Sequence, residues 1–217
     1  KYMSRCVGII ISASAIINEE NKAEVGRYLD KAYEFCTAFT DERYNTANNE
    51  GYQYTRASTD EMLLAMDCAR RATGRDGLLA HPFFSEVLVD WVVDFMAPGT
   101  TQLPAYSDSG TGGYFKPTML LLNRTYGNGK AGYFLKKNGL DKDAFNVLVY
   151  ANYDPVITEP TENDYVAFVE RVGYGGLRTG WEDGELMFYI IGNDSNTGHN
   201  HYDQLSFQIN TDGLWPA

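Results

Sequence analysis

Most of the patterns on which familiar active sites are built are missing from this sequence. No Gly-x-Ser-x-Gly elbow, phosphate-cradling glycine loop, His-Glu-x-x-His or Cys-x-x-Cys pair occurs, which sets aside serine hydrolases of the elbow type, P-loop enzymes, zincins and dithiol sites. The nearest approach to a nucleotide loop, Gly173 to Gly176, stands before a strand and has no helix after it, so it reads as a turn. Basic runs are missing too. With a formal net charge of -11 and no cluster of lysine and arginine, the chain is excluded from general nucleic-acid binding. The same charge fits a polyanionic substrate poorly unless a local basic cleft exists. The apolar run Val7 to Ile17 contains Ser12 and Ser14 and falls short of the roughly 20 residues that span a bilayer; it reads as a buried helix, and no membrane span is expected. A signal-peptide start and cleavage site are absent, and the chain opens in mid-helix at Lys1, so it is expected to come from inside a longer precursor. Cys6, Cys36 and Cys68 are widely spaced and odd in number, which excludes complete internal pairing and favours buried free thiols.

What is present divides into two halves. The 217 residues suffice for one large or two modest domains. From Tyr2 to about Tyr150 apolar residues recur at three and four, the helical period. Helices are expected at Ile9 to Ile17, Asn21 to Phe39, Ser58 to Thr73, Pro82 to Met96, Pro117 to Asn123, Ala131 to Lys137 and Asp141 to Tyr150. The first two form a pair joined at Asn18 to Asn21. Ser58, with Glu61 three residues on, is a candidate cap for the third, and Gly74 its stop. The loop Gly99 to Gly113, which carries Tyr106 and Asp108, is long enough to suggest a function. A linker at 152–164, with Pro155 and Pro160, separates the helical part (1–151) from 165–217, where strands are expected at Tyr165 to Val172, Leu177 to Trp181, Glu185 to Ile191 and Leu205 to Asn210. Trp181 to Glu185 is the expected hairpin turn. Helices followed by antiparallel strands make an α+β chain.

Two stretches carry candidate chemistry. In GHNHYDQLSF, Gly198 to Phe207, two of the three histidines stand two residues apart beside Asp203. Read as a strand, His199, His201 and Asp203 share the face of Leu205, Phe207 and Ile209. Imidazoles and a carboxylate on a core face imply a metal, a hydrogen-bond network or a substrate; a pair of satisfied structural histidines is the plainer alternative. In NNEGYQYTR, Asn48 to Arg56, Tyr52 and Tyr54 alternate in a loop ahead of a helix. That arrangement suits sugar stacking and, if one phenol is ionised, proton abstraction. Either ring can instead simply pack on a helix end. With an unperturbed tyrosine pKa near about 10, a base at neutral pH needs a cationic neighbour, which Arg56 or Arg5 can supply.

Taken together, the EGYQY-type loop in a helical half, Asp108 to Gly110, the Arg178 to Trp181 element and the GHxHxDxLSF element resemble the heparinase II/III-like family. The resemblance runs over nearly the whole chain and is most specific between Gly176 and Gly213. It implies an incomplete α/α toroid followed by the beginning of an antiparallel β-sandwich, and a polysaccharide lyase acting on a uronate-containing polysaccharide by β-elimination. It further implies a periplasmic or secreted location. By the same resemblance Tyr54, with Tyr52 as rival, and His199 are catalytic. Tyr52, Arg56 and Asn200 contact substrate, and His201 ligates a structural zinc ion. Asp203 supports the zinc site, and the further ligands lie past Ala217. His199 and His201 would then need to face different ways, which strict alternation forbids; a bulge near Gly198 would reconcile them.

β-Elimination sets three tasks. The uronate carboxylate is neutralised, a base removes the proton on the adjacent ring carbon, and an acid protonates the departing glycosidic oxygen. Two other functions remain open on the sequence. One is a glycoside hydrolase, which needs two facing carboxylates, with Asp60, Glu61, Asp108 and Asp203 to choose from. The other is a carbohydrate-binding relative without catalysis.

Overall fold

The computed structural model describes residues 2–45, 50–75, 78, 80–112, 115–139, 154–192, 199, 201 and 204–211. The chain is α+β. Among the described residues six α-helices precede a four-stranded antiparallel sheet: α1 Tyr2–Ile16, α2 Lys22–Asn45, α3 Gly51–Thr73, α4 Val89–Val93, α5 Lys116–Tyr126 and α6 Gly129–Asn138. A π-helical segment, Phe83–Leu88, runs into α4 after Pro82. The expected helix at 141–150 lies outside the described residues. The α1–α2 turn is built by two side chains: Asn18 Oδ1 accepts from the Glu20 and Asn21 amides, and Asn21 returns a bond to the Asn18 amide. α1 packs against both α2 and α3. Gly74 ends α3 as expected, in the left-handed conformation with its N–H on the Arg70 carbonyl. The three cysteines are free, and burial pushes the Cys36 thiol up to about 12. No helix among the described residues is long and apolar enough to cross a membrane.

The start of α3 departs from expectation. The helix begins at Gly51, not Ser58, and Ser58 sits two turns in, its hydroxyl donating to the Tyr54 and Thr55 carbonyls. Most of the EGYQYTR stretch is therefore helix, and this separates its two tyrosines. Residues two apart on a helix point about 200° from one another, whereas alternation in an extended loop would have put them on one side. Tyr52 is a core residue and is corrected as such: it has no exposed surface, stacks on Trp91 at 4.5 Å between centroids, and donates its hydroxyl to the Trp91 carbonyl. Burial raises its pKa well above the ordinary value, so it is neither a base nor a sugar contact.

The sheet is a meander, β1 Val166–Val169, β2 Tyr174–Arg178, β3 Leu186–Ile191 and β4 Phe207–Thr211, in the order β1-β2-β3-β4. Only Gly173 of the glycine-rich stretch makes a turn; Tyr174 to Gly176 are strand, and the second strand ends at Arg178 rather than Trp181. The Trp181 to Glu185 turn joins β2 to β3 as expected. Tyr174 and Tyr189 point inward and meet Trp91, Phe95 and Tyr106 edge-on or stacked, so a single aromatic core spans the helices and the sheet. The opposite face is apolar and open, with Val166, Phe168, Leu177, Phe207 and Ile209 all exposed. The segment from Asp154 lies along α5 and α6, held by Asn123 Nδ2 on the Val156 carbonyl and by the Thr158 amide on the Gly129 carbonyl.

Ahead of β4 the strand reading of GHNHYDQLSF fails. His199 lies in a turn and His201 in irregular backbone. Leu205 takes a positive φ of 64°. The Leu205 amide donates to the Ile191 carbonyl, and the Ile191 amide donates to the Ser206 carbonyl. Two residues opposite one is a β-bulge. It falls at Leu205, while Gly198 lies outside the described residues, and it inverts the expected faces: Phe207 and Ile209 point outward while Asn210 is fully buried.

Candidate active site

Three segments that are distant in sequence meet around His199 and its partner Asp108. Asp108, in the irregular 99–112 segment, accepts from His199 Nδ1 at 3.0 Å through one oxygen and from His201 Nε2 at 3.0 Å through the other. Its own amide donates to the His199 carbonyl at 3.3 Å. The His201 and His199 hydrogen bonds hold the Asp108 carboxyl below its usual range, so it is an anion throughout the neutral region. The ring of His199 lies flat on that of Tyr54, 3.6 Å between centroids and 11° from parallel. Tyr54, His199, His201 and Asp108 thus form one cluster where the helical half meets the entry to β4.

The 99–112 segment is fixed from both sides. Ser109 Oγ accepts from the Gln53 amide at 2.9 Å, supplying from a distant segment the N-terminal cap that α3 lacks locally. Gly51, at φ 76°, allows the close approach: a Cβ there would stand 2.6 Å from Ser109 Oγ and 2.9 Å from the Tyr106 carbonyl. On the sheet side Gln208 Nε2 donates to the Ala105 carbonyl, and the Tyr106 hydroxyl donates to the Ser206 carbonyl. The residue beside Asp108 therefore caps the helix that carries Tyr54, while β4 braces the same segment.

The hydrogen bonds assign the ring tautomers. His199 gives its Nδ1 proton to Asp108, which leaves the Nε2 lone pair of the neutral ring for a substrate proton. His201 gives its Nε2 proton to the same carboxylate, which leaves Nδ1 as the only nitrogen able to bind a metal. A metal-ligating histidine commonly donates its other N–H to a carboxylate, so His201 suits the expected zinc as one ligand. The described residues hold no group of three or more histidine, cysteine or acidic side chains placed to bind an ion.

Of the residues expected from sequence, Tyr54, His199 and His201 are brought together. Tyr52 is in the core. Arg56 is half-buried, and its charge acts on Asp60, whose carboxyl meets Thr118 of α5. Asn200 and Asp203 lie outside the described residues. In the sequence Asp108 stands out as a member of the long 99–113 loop, as part of the Asp108 to Gly110 element of the resemblance and as a possible hydrolase carboxylate, with no partner assigned to it. Its role in joining both histidines had one sequence signal, its position in a long Gly/Ser-rich loop.

No family model and no curated protein sequence matches the chain. Its structure is similar to the crystal structure of heparinase III, with a TM-score of 0.56, 17% sequence identity and 98% of this chain aligned. The alignment covers 33% of the heparinase III chain, so this chain spans about a third of its neighbour's length. At that identity the likeness is one of fold.

Proposed function

We propose that the chain is part of a polysaccharide lyase that cleaves a uronate-containing polysaccharide by β-elimination. The observation that carries this reading is the Tyr54–His199 stack held by Asp108, at the junction of a helical body and a sheet arranged as in heparinase III. A phenol and an imidazole side by side are the residue types that remove a proton from carbon and return one to oxygen. The base takes the proton from the ring carbon bearing the carboxylate. The electron pair left there forms a carbon–carbon double bond as the bond to the glycosidic oxygen breaks, and that oxygen leaves with a proton from the acid. Tyr54 is assigned to proton transfer. His199, whose Nε2 lone pair Asp108 leaves available, is assigned to removing the proton from the ring carbon, and the Tyr54 phenol to supplying the proton that leaves with the glycosidic oxygen. Arg56 and Asn200 are assigned to substrate contact. A toroid-and-sandwich architecture is part of the same reading, and the open apolar face of the sheet is the face a second sheet would cover. So are a structural zinc at His201 and a periplasmic or secreted location; no chemical step depends on the metal.

The test is a screen of heparan sulfate, hyaluronan, chondroitin and alginate with full-length protein. It follows the ultraviolet absorbance of the unsaturated uronate that elimination creates and hydrolysis does not. New reducing ends without that absorbance would assign a hydrolase instead, and neither signal would leave a binding protein.

A further inference from the structure

Three sulfur side chains converge where α1 packs against α2. Met3 and Cys6 lie one turn apart on α1, so they share a face, and both are half-buried. Facing them from α2 is Cys36, which has no exposed surface and whose Sγ lies 3.9 Å from Met3 Sδ. Cys6 is close enough for its charge to act on Cys36. One turn further along α2, the Thr40 hydroxyl donates to the Cys36 carbonyl and stands 3.9 Å from Met62 Sδ of α3, a fourth sulfur at the same junction. A buried cysteine commonly acts as a small apolar side chain. Here two thiols and a thioether from two helices meet, whereas Cys68, the third cysteine, faces a separate groove with Ile11 and Ser14.

The donor chemistry selects the ion. Thiolate and thioether sulfurs are soft ligands and favour Cu(I). Structural zinc takes four ligands from cysteine, histidine and carboxylates, and among the described residues no third side chain of that kind joins Cys6 and Cys36. The spacing fits a low-coordinate ion. With metal–sulfur bonds of about 2.3 Å, two donors of a trigonal site stand about 4.0 Å apart, against 3.9 Å between Met3 and Cys36. We propose that Met3, Cys6 and Cys36 form a site for a soft monovalent cation, Cu(I), independent of the lyase chemistry and of the zinc assigned to His201. Binding replaces the two thiol protons, which pass to solvent, and no electron is transferred. Two thiolates on one Cu(I) leave a single net negative charge at the site. Cys6, at the half-buried edge, is the point of entry, and an ion held by both helices ties α1 to α2 and stabilises the fold.

The test is competition for Cu(I), without oxygen and with the thiols reduced, between the full-length protein and a chromogenic Cu(I) chelator, with thermal melts in parallel. Wild type, His201→Ala and Cys68→Ser should each withhold one equivalent and melt several degrees higher with the metal than without it. Cys6→Ser and Met3→Leu should each hold it about tenfold or more weakly. Both of those side chains are half-buried, so both variants should keep the wild-type circular dichroism spectrum. Cys36→Ser, close to cysteine in volume, should lose the site as well. Release of all Cu(I) to the chelator by wild type, its retention by Cys6→Ser, or its loss in His201→Ala would each overturn the proposal. So would a disulfide between Cys6 and Cys36 formed in air by a protein that takes up no Cu(I) when reduced, which would make the pair a redox couple.

Discussion

The imidazole of His199 rests flat against the phenol of Tyr54, 3.6 Å between ring centroids, while the edge of the same imidazole is held by Asp108. A helix from one half of the chain and a turn from the other are thereby joined through one pair of rings. Tyr54→Phe keeps the stack and removes only the hydroxyl. Elimination should fall on the order of 100-fold or more with an unchanged melting temperature. Tyr52→Phe should do the reverse, costing about 1 kcal/mol of stability for the lost bond to Trp91 and leaving activity per folded molecule intact. Steady-state kinetics beside thermal melts read both, and an inactive, stable Tyr52→Phe would exchange the two assignments.

Asp108→Asn tests whether the carboxylate organises both histidines. An amide can donate as well as accept, so it no longer imposes the Nδ1–H tautomer on His199 or the Nε2–H tautomer on His201. The expected result is a fall in kcat of at least about tenfold with KM little changed, together with altered histidine ring 15N shifts in NMR spectra. Wild-type ring shifts in the variant would show that the tautomers are set elsewhere.

How much of this could be read from sequence depended on range. Helix periodicity, the Gly74 stop and the Trp181 to Glu185 turn are decided by neighbours within a few residues, and they matched. The start of α3 did not, because its cap comes from Ser109, 56 positions away from Gln53. With that cap hidden, the stretch before Ser58 looked like a loop, and Tyr52 looked like a companion of Tyr54. The histidine pair failed for a related reason: alternation holds only inside a ladder, and the bulge at Leu205 ends the ladder before the histidines are reached. The choice of Tyr54 and His199 as partners came from the family resemblance. That Asp108 binds both histidines became visible only in three dimensions.

The long-range cap gives its own prediction. Ser109→Ala leaves the Gln53 amide without its acceptor and should cost about 1 kcal/mol. Because the lost bond also ties the Asp108 segment to the helix of Tyr54, activity should fall by more than the change in folded fraction explains. Ser109→Asp, which keeps an acceptor at a helix N-terminus, should restore part of both. A melting temperature unmoved by Ser109→Ala would show that the cap contributes nothing to stability.

Burial of Asp60 sets a pH dependence of stability. Its carboxyl is pushed up to about 6 by burial, against the opposing hydrogen bond from Thr118 and the charge of Arg56, while in the unfolded chain it titrates near about 3.9. Between those values the folded protein holds the extra proton. The stabilisation from neutral Asp60 is therefore complete below the unfolded value and is lost as pH rises through about 6. A difference of about two units corresponds to at most on the order of 3 kcal/mol. Asp94, also raised to about 6 by burial despite its bond to Lys130, adds a trend of the same sign. Asp60→Asn keeps an acceptor for Thr118 and cannot ionise, so its melting temperature should match wild type near about pH 4 and exceed it by a few degrees near about pH 7. Parallel wild-type and Asp60→Asn curves across that window would mean that ionising this carboxylate in the folded protein costs nothing.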